Sequence, residues 1–136
     1  MTYEERIDFN EKARIIEKLN THEEVLILLS NDKNYKVRDL VAQHKNTPLY
    51  ILEKLSNDKN SEVRNSVTEN KNVSKSIFIK LTEDKDYYVR LRSMYNNKHI
   101  SVDIINNILA INNFEDNFQN NEIKHVAEIK LKMLKK

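Results

Sequence analysis

Three pairs of oppositely charged residues recur in this chain with the same internal spacing. In each pair an aspartate precedes an arginine by six residues, and the pairs are Asp32 with Arg38, Asp58 with Arg64, and Asp84 with Arg90. A guanidinium group can hold a carboxylate through two parallel hydrogen bonds. Because an aspartate accompanies every arginine, we predict a structural ladder in which each arginine binds its own aspartate and the next one along. The alternative is a row of arginines that binds phosphate.

A second group of residues has the chemistry of a binding surface. Tyr88, Leu91 and Tyr95 share a helical spacing of i, i+3 and i+7, and Arg92 lies beside them. Tyrosine and arginine are the types most enriched at interaction hot spots. The matching positions of the two preceding segments are polar, namely Lys36, Asp39 and Gln43, then Glu62, Asn65 and Glu69. We therefore predict a partner-binding site at Tyr88, Leu91, Arg92 and Tyr95; the alternative is that the C-terminal helix covers this stripe.

The residue types required for catalysis are missing or scattered. The chain has no cysteine and no glycine, which removes thiolate chemistry and glycine-rich phosphate loops. Its four histidines, His22, His44, His99 and His125, lack the spacing of metal ligands, and His44 is predicted to lie at a helix end. The sequence predicts a protein that is not an enzyme, with no catalytic residue, no cofactor and no metal.

Charge and hydropathy narrow the choice of partner. Net charge is only +2 over 136 residues, so bulk charge does not indicate nucleic acid. The last segment is basic, which suits either a solvated helix end or a contact with nucleic acid or an acidic partner; its lysines are Lys124, Lys130, Lys132, Lys135 and Lys136. No apolar run has the roughly 18 residues that a membrane span needs. We predict a cytoplasmic protein that does not bind membranes.

A repeat of 26 residues must position these groups. The segment Leu29–Arg38 recurs as Leu55–Arg64 and as Leu81–Arg90. Such a period is typical of one supersecondary unit stacked on copies of itself. Each unit is predicted to contain two short helices. In the clearest copy, the first helix has Thr47 as N-cap and Pro48 at the first helical position.

The second helix of each unit is predicted to begin after Asn34, Asn60 or Asp86 as N-cap, and to bury Val37, Val63 or Val89. Since glycine is absent, we expect asparagine to adopt the left-handed conformation at helix ends.

The predicted fold class is all-α: a short right-handed α-solenoid of about four two-helix, 26-residue repeats with capping helices. It would form one domain over residues 1–136. Residues 1–20 are a degenerate N-terminal repeat, in which residues 8–16 match a second helix; residues 21–98 are three regular repeats, and residues 99–136 are a degenerate repeat and cap. The last part is predicted as a helix over residues 102–111, a polar loop over 112–121 and a helix over 122–135.

The clearest copy of the repeat resembles the variant leucine-rich repeat, a short two-helix bacterial repeat akin to HEAT repeats. The matching residues are Asp32, Val37, Arg38, Val41, Ala42, Asn46, Thr47, Pro48, Leu52 and Leu55. The resemblance covers about residues 20–105 and implies an α-solenoid used for recognition. Some members carry a cysteine-bound iron–sulfur cluster, which this chain cannot hold. Larger HEAT-like proteins include alkylpurine DNA glycosylases, but no catalytic position matches here.

These observations predict a non-enzymatic binding scaffold of bacterial type, acting as a protein–protein interaction adaptor or inhibitor. The alternative is a nucleic-acid-binding HEAT-like module. The sequence does not predict an oligomeric state.

Overall fold

The computed structural model describes residues 1–18, 20–95, 98–111 and 118–136. This part of the chain contains nine α-helices and no strand, which confirms the all-α class. The helices are α1 (Tyr3–Glu17), α2 (Glu23–Leu29), α3 (Tyr35–Gln43), α4 (Leu49–Leu55), α5 (Ser61–Glu69), α6 (Lys75–Thr82), α7 (Tyr87–Tyr95), α8 (Val102–Ile111) and α9 (Phe118–Leu134). They group into two compact units, residues 1–74 and 75–136.

The first unit contains two helical hairpins and one additional long helix. Helix α2 packs against α3, and α4 packs against α5; α3 also contacts both α1 and α5. Helix α1 thus occupies the place of a second helix, at the position where the sequence matches one. Val37 and Val63 are fully buried, as predicted.

The second unit has its own apolar core. Helix α6 packs against α7, α7 contacts α9, and α8 packs against α9. The core residues come from all four helices and are Phe78, Tyr87, Met94, Ile104, Ile105, Ile108, Ile123, Val126 and Ala127. Val89, on α7, is fully buried, and α8 begins and ends at the predicted residues.

The starts of the second helices are confirmed. The side-chain oxygen of Asn34 accepts a hydrogen bond from the N–H of Lys36 at 3.0 Å, and that of Asn60 accepts one from Glu62 at 2.8 Å. Asp86 Oδ1 accepts from the N–H of Tyr88 at 2.9 Å. Each cap satisfies a backbone donor that the helix leaves without an internal partner.

The predicted cap of the first helix is wrong by one residue. Pro48 is the N-cap of α4, with an extended backbone, and its carbonyl accepts from the N–H of Leu52 at 3.0 Å. The hydroxyl of Thr47 instead donates to the carbonyl of Val41 at 2.5 Å. Thr21 makes the same link 26 residues earlier, to Ile15 at 2.6 Å. Threonine at this position therefore ties the turn to the preceding helix.

The expectation about asparagine is also wrong. None of the residues in the described ranges has a positive φ. The C-cap residues His44 and Asn70 have extended backbones, with φ of −71° and −68°. The side chain of Asn70 contributes instead, because its amide donates to the carbonyl of Ala42 at 2.7 Å and thereby links α5 to the end of α3.

The two terminal helices are longer than predicted. Helix α1 begins at Tyr3 because Thr2 and Glu5 form a capping box: the Thr2 hydroxyl accepts from the Glu5 N–H at 3.1 Å, and the Glu5 carboxylate accepts from the Thr2 N–H at 2.7 Å. Helix α9 begins at Phe118, so residues 118–121 of the predicted loop are helical; residues 112–117 lie outside the described ranges. Asparagine costs a helix well under 1 kcal/mol per residue, so packing of the following turns outweighs it.

Candidate functional site

The predicted partner site lies on α7, and α9 holds that helix at both ends. The Tyr87 hydroxyl donates a hydrogen bond to the Glu122 carboxylate, and Lys130 Nζ donates to the backbone carbonyl of Tyr95 at 2.8 Å. Both contacts join residues 35 positions apart, so the two helices run in the same direction. A lysine at the carboxyl end of α7 also complements the helix dipole.

The C-terminal helix covers only part of the predicted stripe. Leu91 is half-buried and packs against the core that α9 completes. Tyr88 remains 67% exposed and Tyr95 42% exposed, and Arg92 is exposed as well. The stripe therefore combines an anchored leucine with three accessible side chains.

Tyr88 lies against a fixed neighbour. Its ring meets the ring of Tyr87 edge-on, with the centroids 5.0 Å apart. Burial raises the pKa of Tyr87 to about 12, and the hydrogen bond to Glu122 acts in the same direction. Tyr87 thus stays neutral and bonded over the physiological range. Tyr88 consequently stands on a rigid base, and such a side chain loses less entropy on binding than a free one.

In the first unit, the corresponding stripes are polar. The exposure pattern is the same as on α7, with Lys36 and Gln43 exposed around a half-buried Asp39, and Glu62 and Glu69 exposed around a half-buried Asn65. Asp39 accepts hydrogen bonds from Gln43 and from Ser66. The aromatic character is therefore specific to α7 among these three helices.

Arg38 binds the aspartate of the following hairpin. Its Nε and Nη2 donate to the two carboxylate oxygens of Asp58 at 2.7 and 2.9 Å, and only 8% of each side chain is exposed. Nη1 donates to the backbone carbonyls of Asp32 and Lys33 at 2.7 and 3.2 Å. Arg38 therefore contacts its own aspartate through the main chain, and its donors are not available to a phosphate.

Sequence reasoning missed the first member of this row. Lys12, which lies 26 residues before Arg38, donates to the carboxylate of Asp32 at 2.6 Å. It also binds Asp8 one helical turn away at 2.7 Å. The 26-residue register was the signal that identifies Lys12, although lysine replaces arginine there.

The carboxylates have lowered pKa values. Burial alone would raise the pKa of Asp58, but hydrogen bonds from Arg38 and from the N–H of Asn60 outweigh it, so this pKa is lower than usual. Asp32 behaves in the same way with Lys12 and the N–H of Asn34. Both groups are therefore charged at neutral pH.

Arg64 and Arg90 repeat the main-chain contact that Arg38 makes. Arg64 Nη1 donates to the carbonyl of Asp58 at 2.8 Å, and Arg90 Nη1 donates to that of Asp84 at 2.7 Å. Each aspartate also accepts from the N–H two residues later, as Asp84 does from Asp86 at 2.8 Å. Within the described ranges, the buried Nε of Arg90 has no hydrogen-bond partner. Position 110, where a further aspartate would lie, is Ala110.

A second row of contacts links successive turns. His44 Nδ1 accepts from the N–H of Asn46 at 3.0 Å, and Nε2 lies 3.1 Å from the carbonyl of Lys18, so Nε2 carries the proton. Asn70 repeats this arrangement, accepting from Asn72 at 2.9 Å and donating to the carbonyl of His44 at 3.1 Å. His44 lies at the end of α3, as predicted, and has a structural role.

Within the described parts of the chain, no group of three or more histidine, aspartate or glutamate side chains could hold a metal ion. In the same residues no helix is both long enough and apolar enough to cross a membrane. Comparison with protein-family models, with curated proteins and with solved structures finds no match to this chain.

Proposed function

We propose that the chain is a non-enzymatic binding scaffold that recognises another protein through the exposed face of α7. In this proposal it is an α-solenoid of about four two-helix repeats, related to the variant leucine-rich repeat, and a cytoplasmic adaptor or inhibitor of bacterial type. The carrying observation is that Tyr88 and Tyr95 remain exposed on a helix that α9 holds at both ends.

The repeated hydrogen bonds support the scaffold part of the proposal. The links from Arg38, Arg64 and Arg90 to a main-chain carbonyl six residues earlier recur with distances of 2.7 to 2.8 Å. A unit that repeats its internal contacts favours regular stacking, and stacked helices provide broad recognition surfaces.

The chemistry of the α7 face supports a protein partner. The two tyrosines lie seven residues apart, which is about 10 Å along a helix. Each offers an apolar ring and a hydroxyl, while Arg92 adds a forked donor between them. Leu91 lies under them and holds the helix against the core. Exposed aromatic side chains on a fixed support are typical of interaction hot spots.

The experiment is a selection of random displayed peptides on the immobilised protein. We expect peptides that bind the wild type and lose affinity by about 30-fold or more for Tyr88→Ala/Tyr95→Ala, which is the loss of one hot-spot contact. The matched control is Tyr50→Ala, since Tyr50 is similarly exposed at 58% but lies on α4. Peptides that bind the folded double variant as well as the wild type would refute the α7 site.

The basic C-terminal segment favours one alternative, a nucleic-acid-binding module. Lys124, Lys132, Lys135 and Lys136 are all exposed. If they neutralise phosphates, retention on DNA or heparin falls steeply between about 50 and 200 mM salt. Retention at low salt that Lys132→Ala/Lys136→Ala abolishes, without peptide binding, would replace the protein-binding proposal. No retention at low salt would exclude the alternative.

A further inference from the structure

We propose that this chain associates with itself: the outer face of α9 in one copy binds the outer face of α1 in a second copy. This surface is separate from the tyrosine face of α7. The inference rests on apolar side chains exposed on both helices and on the opposite charges of the two helices.

The outer face of α1 is partly apolar. Tyr3, Ile7 and Ile15 lie at i, i+4 and i+12, which is one side of a helix, and they are 69%, 42% and 42% exposed. The opposite side of α1 carries the buried Ile16 and the half-buried Phe9. The apolar stripe is therefore additional to the face that α1 uses within its own unit.

The outer face of α9 has the same character. Phe118, Ile129 and Met133 are 81%, 44% and 63% exposed. Ile123 and Ala127, on the opposite side, are fully buried in the core of the second unit. Large exposed apolar side chains along one side of a helix indicate an interface.

The opposite charges of the two helices favour binding of the α1 face to the α9 face. Helix α1 carries five acidic and three basic side chains, whereas residues 118–136 carry five lysines and two glutamates. Glu11 lies within the α1 stripe, between Ile7 and Ile15. Lys132 lies beside the α9 stripe, and Lys136 follows the end of that helix.

Two copies of α1 would therefore repel each other, and so would two copies of α9, whereas α1 and α9 attract. The two helices also match in length, with 15 and 17 residues, or roughly 23 to 26 Å. A second copy of this chain thus supplies the complement to each face.

This contact is heterologous, since it joins two different surfaces. Heterologous contacts propagate into open chains or close into rings, in contrast to the symmetric contact of a simple dimer. We therefore expect the weight-average mass of the wild type to rise past that of a dimer as concentration increases, and to fall at high salt.

Sedimentation equilibrium of two blocking variants tests the geometry. Ile7→Lys blocks the α1 face and Ile129→Asp blocks the α9 face, so each variant alone should remain at the monomer mass of 16.2 kDa. Mixed in equal amounts, they should form one-to-one heterodimers and nothing larger, because each keeps the face that the other lacks. The matched control is Leu28→Asp: Leu28 is 71% exposed on α2, and its variant should assemble like the wild type.

A charge-reversal series covers the possibility that an apolar substitution disturbs the fold. Glu4→Lys/Glu11→Lys and Lys132→Glu/Lys136→Glu should each weaken assembly at least tenfold, and all four changes in one chain should restore it. A wild type that stays monomeric at all concentrations up to about 1 mM overturns the proposal. So does self-association of Ile129→Asp alone, or a mixture of the two folded blocking variants that remains monomeric.

Discussion

The guanidinium of Arg38 forms two parallel hydrogen bonds with the carboxylate of Asp58, 20 residues later, and both side chains are 92% shielded from solvent. Lys12 and Asp32 stand in the same relation 26 residues earlier. Buried pairs of this kind add little net stability but cost much when one partner is removed.

The Arg38 pair should be far more sensitive to substitution than its counterpart in the second unit. We expect Arg38→Met to lower the free energy of unfolding by about 3 to 5 kcal/mol, since it leaves Asp58 buried without a counter-ion. Arg90→Met should cost less than half of that, because within the described residues Arg90 donates to the main-chain carbonyls of Asp84 and Lys85 and its buried Nε has no hydrogen-bond partner. Urea unfolding monitored by circular dichroism measures both losses, and equal losses would contradict this reading of the ladder.

Stability should fall in acid because of Asp32 and Asp58. Both have pKa values below the ordinary 3.8. As the pH drops below that value, the unfolded chain takes up protons before the folded chain does, so the stabilisation present at neutral pH is lost as the folded pKa values are passed.

Measuring the free energy of unfolding at a series of pH values from 6 to 2 tests this predicted loss of stability. Asp58→Asn, which keeps an oxygen to accept from the N–H of Asn60, should be less stable at pH 6 and show a shallower decline. A decline of the same steepness would mean that Asp58 does not contribute to it.

The free energy of unfolding should fall above pH 10 because of Tyr87, which lies in the core of the second unit. Its pKa of about 12 exceeds the ordinary 10.0, so its contribution is complete below pH 10 and is lost as the pH rises toward 12. Tyr87→Phe should cost about 1.5 to 3 kcal/mol at pH 8, which is the usual contribution of a hydrogen bond to a charged group.

The difference between the wild type and Tyr87→Phe should narrow between pH 10 and pH 12. Tyr88→Phe is the control, because Tyr88 is exposed, and it should change neither the stability nor its pH dependence. A constant difference between the wild type and Tyr87→Phe across this range would argue against the hydrogen bond to Glu122.

His44 should be replaceable by asparagine but not by alanine. Asn70 makes the same two types of contact at the equivalent position, so His44→Asn should be nearly neutral. His44→Ala should cost about 1 to 2 kcal/mol, since it leaves backbone groups of Asn46 and Lys18 without these partners. His22→Ala serves as the control because the His22 side chain makes no cap hydrogen bond to α2. Thermal unfolding ranks the three variants, and equal stability of Asn and Ala at position 44 would refute the structural role.

Much of the local structure was predictable from the 26-residue period. The caps Asn34, Asn60 and Asp86 and the buried Val37 and Val63 follow from their spacing, because capping and burial depend on neighbours in sequence. The role of Thr47 could not be predicted from the period. A threonine before a proline can be the N-cap itself or the residue before it, and in the structure the hydrogen bond from Thr47 to the Val41 carbonyl accompanies the second arrangement. The Thr2 and Glu5 capping box was present in the sequence and was overlooked.

The accessibility of the candidate site could not be predicted in the same way. Whether Tyr88 and Tyr95 are covered depends on where α9 lies along α7, and the Tyr87 contact with Glu122 sets that position across 35 residues. The 26-residue period does not predict a contact between residues 35 positions apart, because the last part of the chain departs from that period. The sequence therefore left burial and exposure of the stripe as open alternatives.

In the described residues, the side-chain hydrogen bonds that link one helix to another join residues that are close in the sequence. Arg38 binds Asp58, 20 residues later, and His44 contacts Lys18, 26 residues earlier. The contacts made by Tyr87 and by Lys130 join residues 35 positions apart. Contacts between residues close in sequence form sooner than pairings that span most of a chain, because they close shorter loops. The hairpins of the first unit can thus assemble on one another as soon as they leave the ribosome, before the second unit is synthesised.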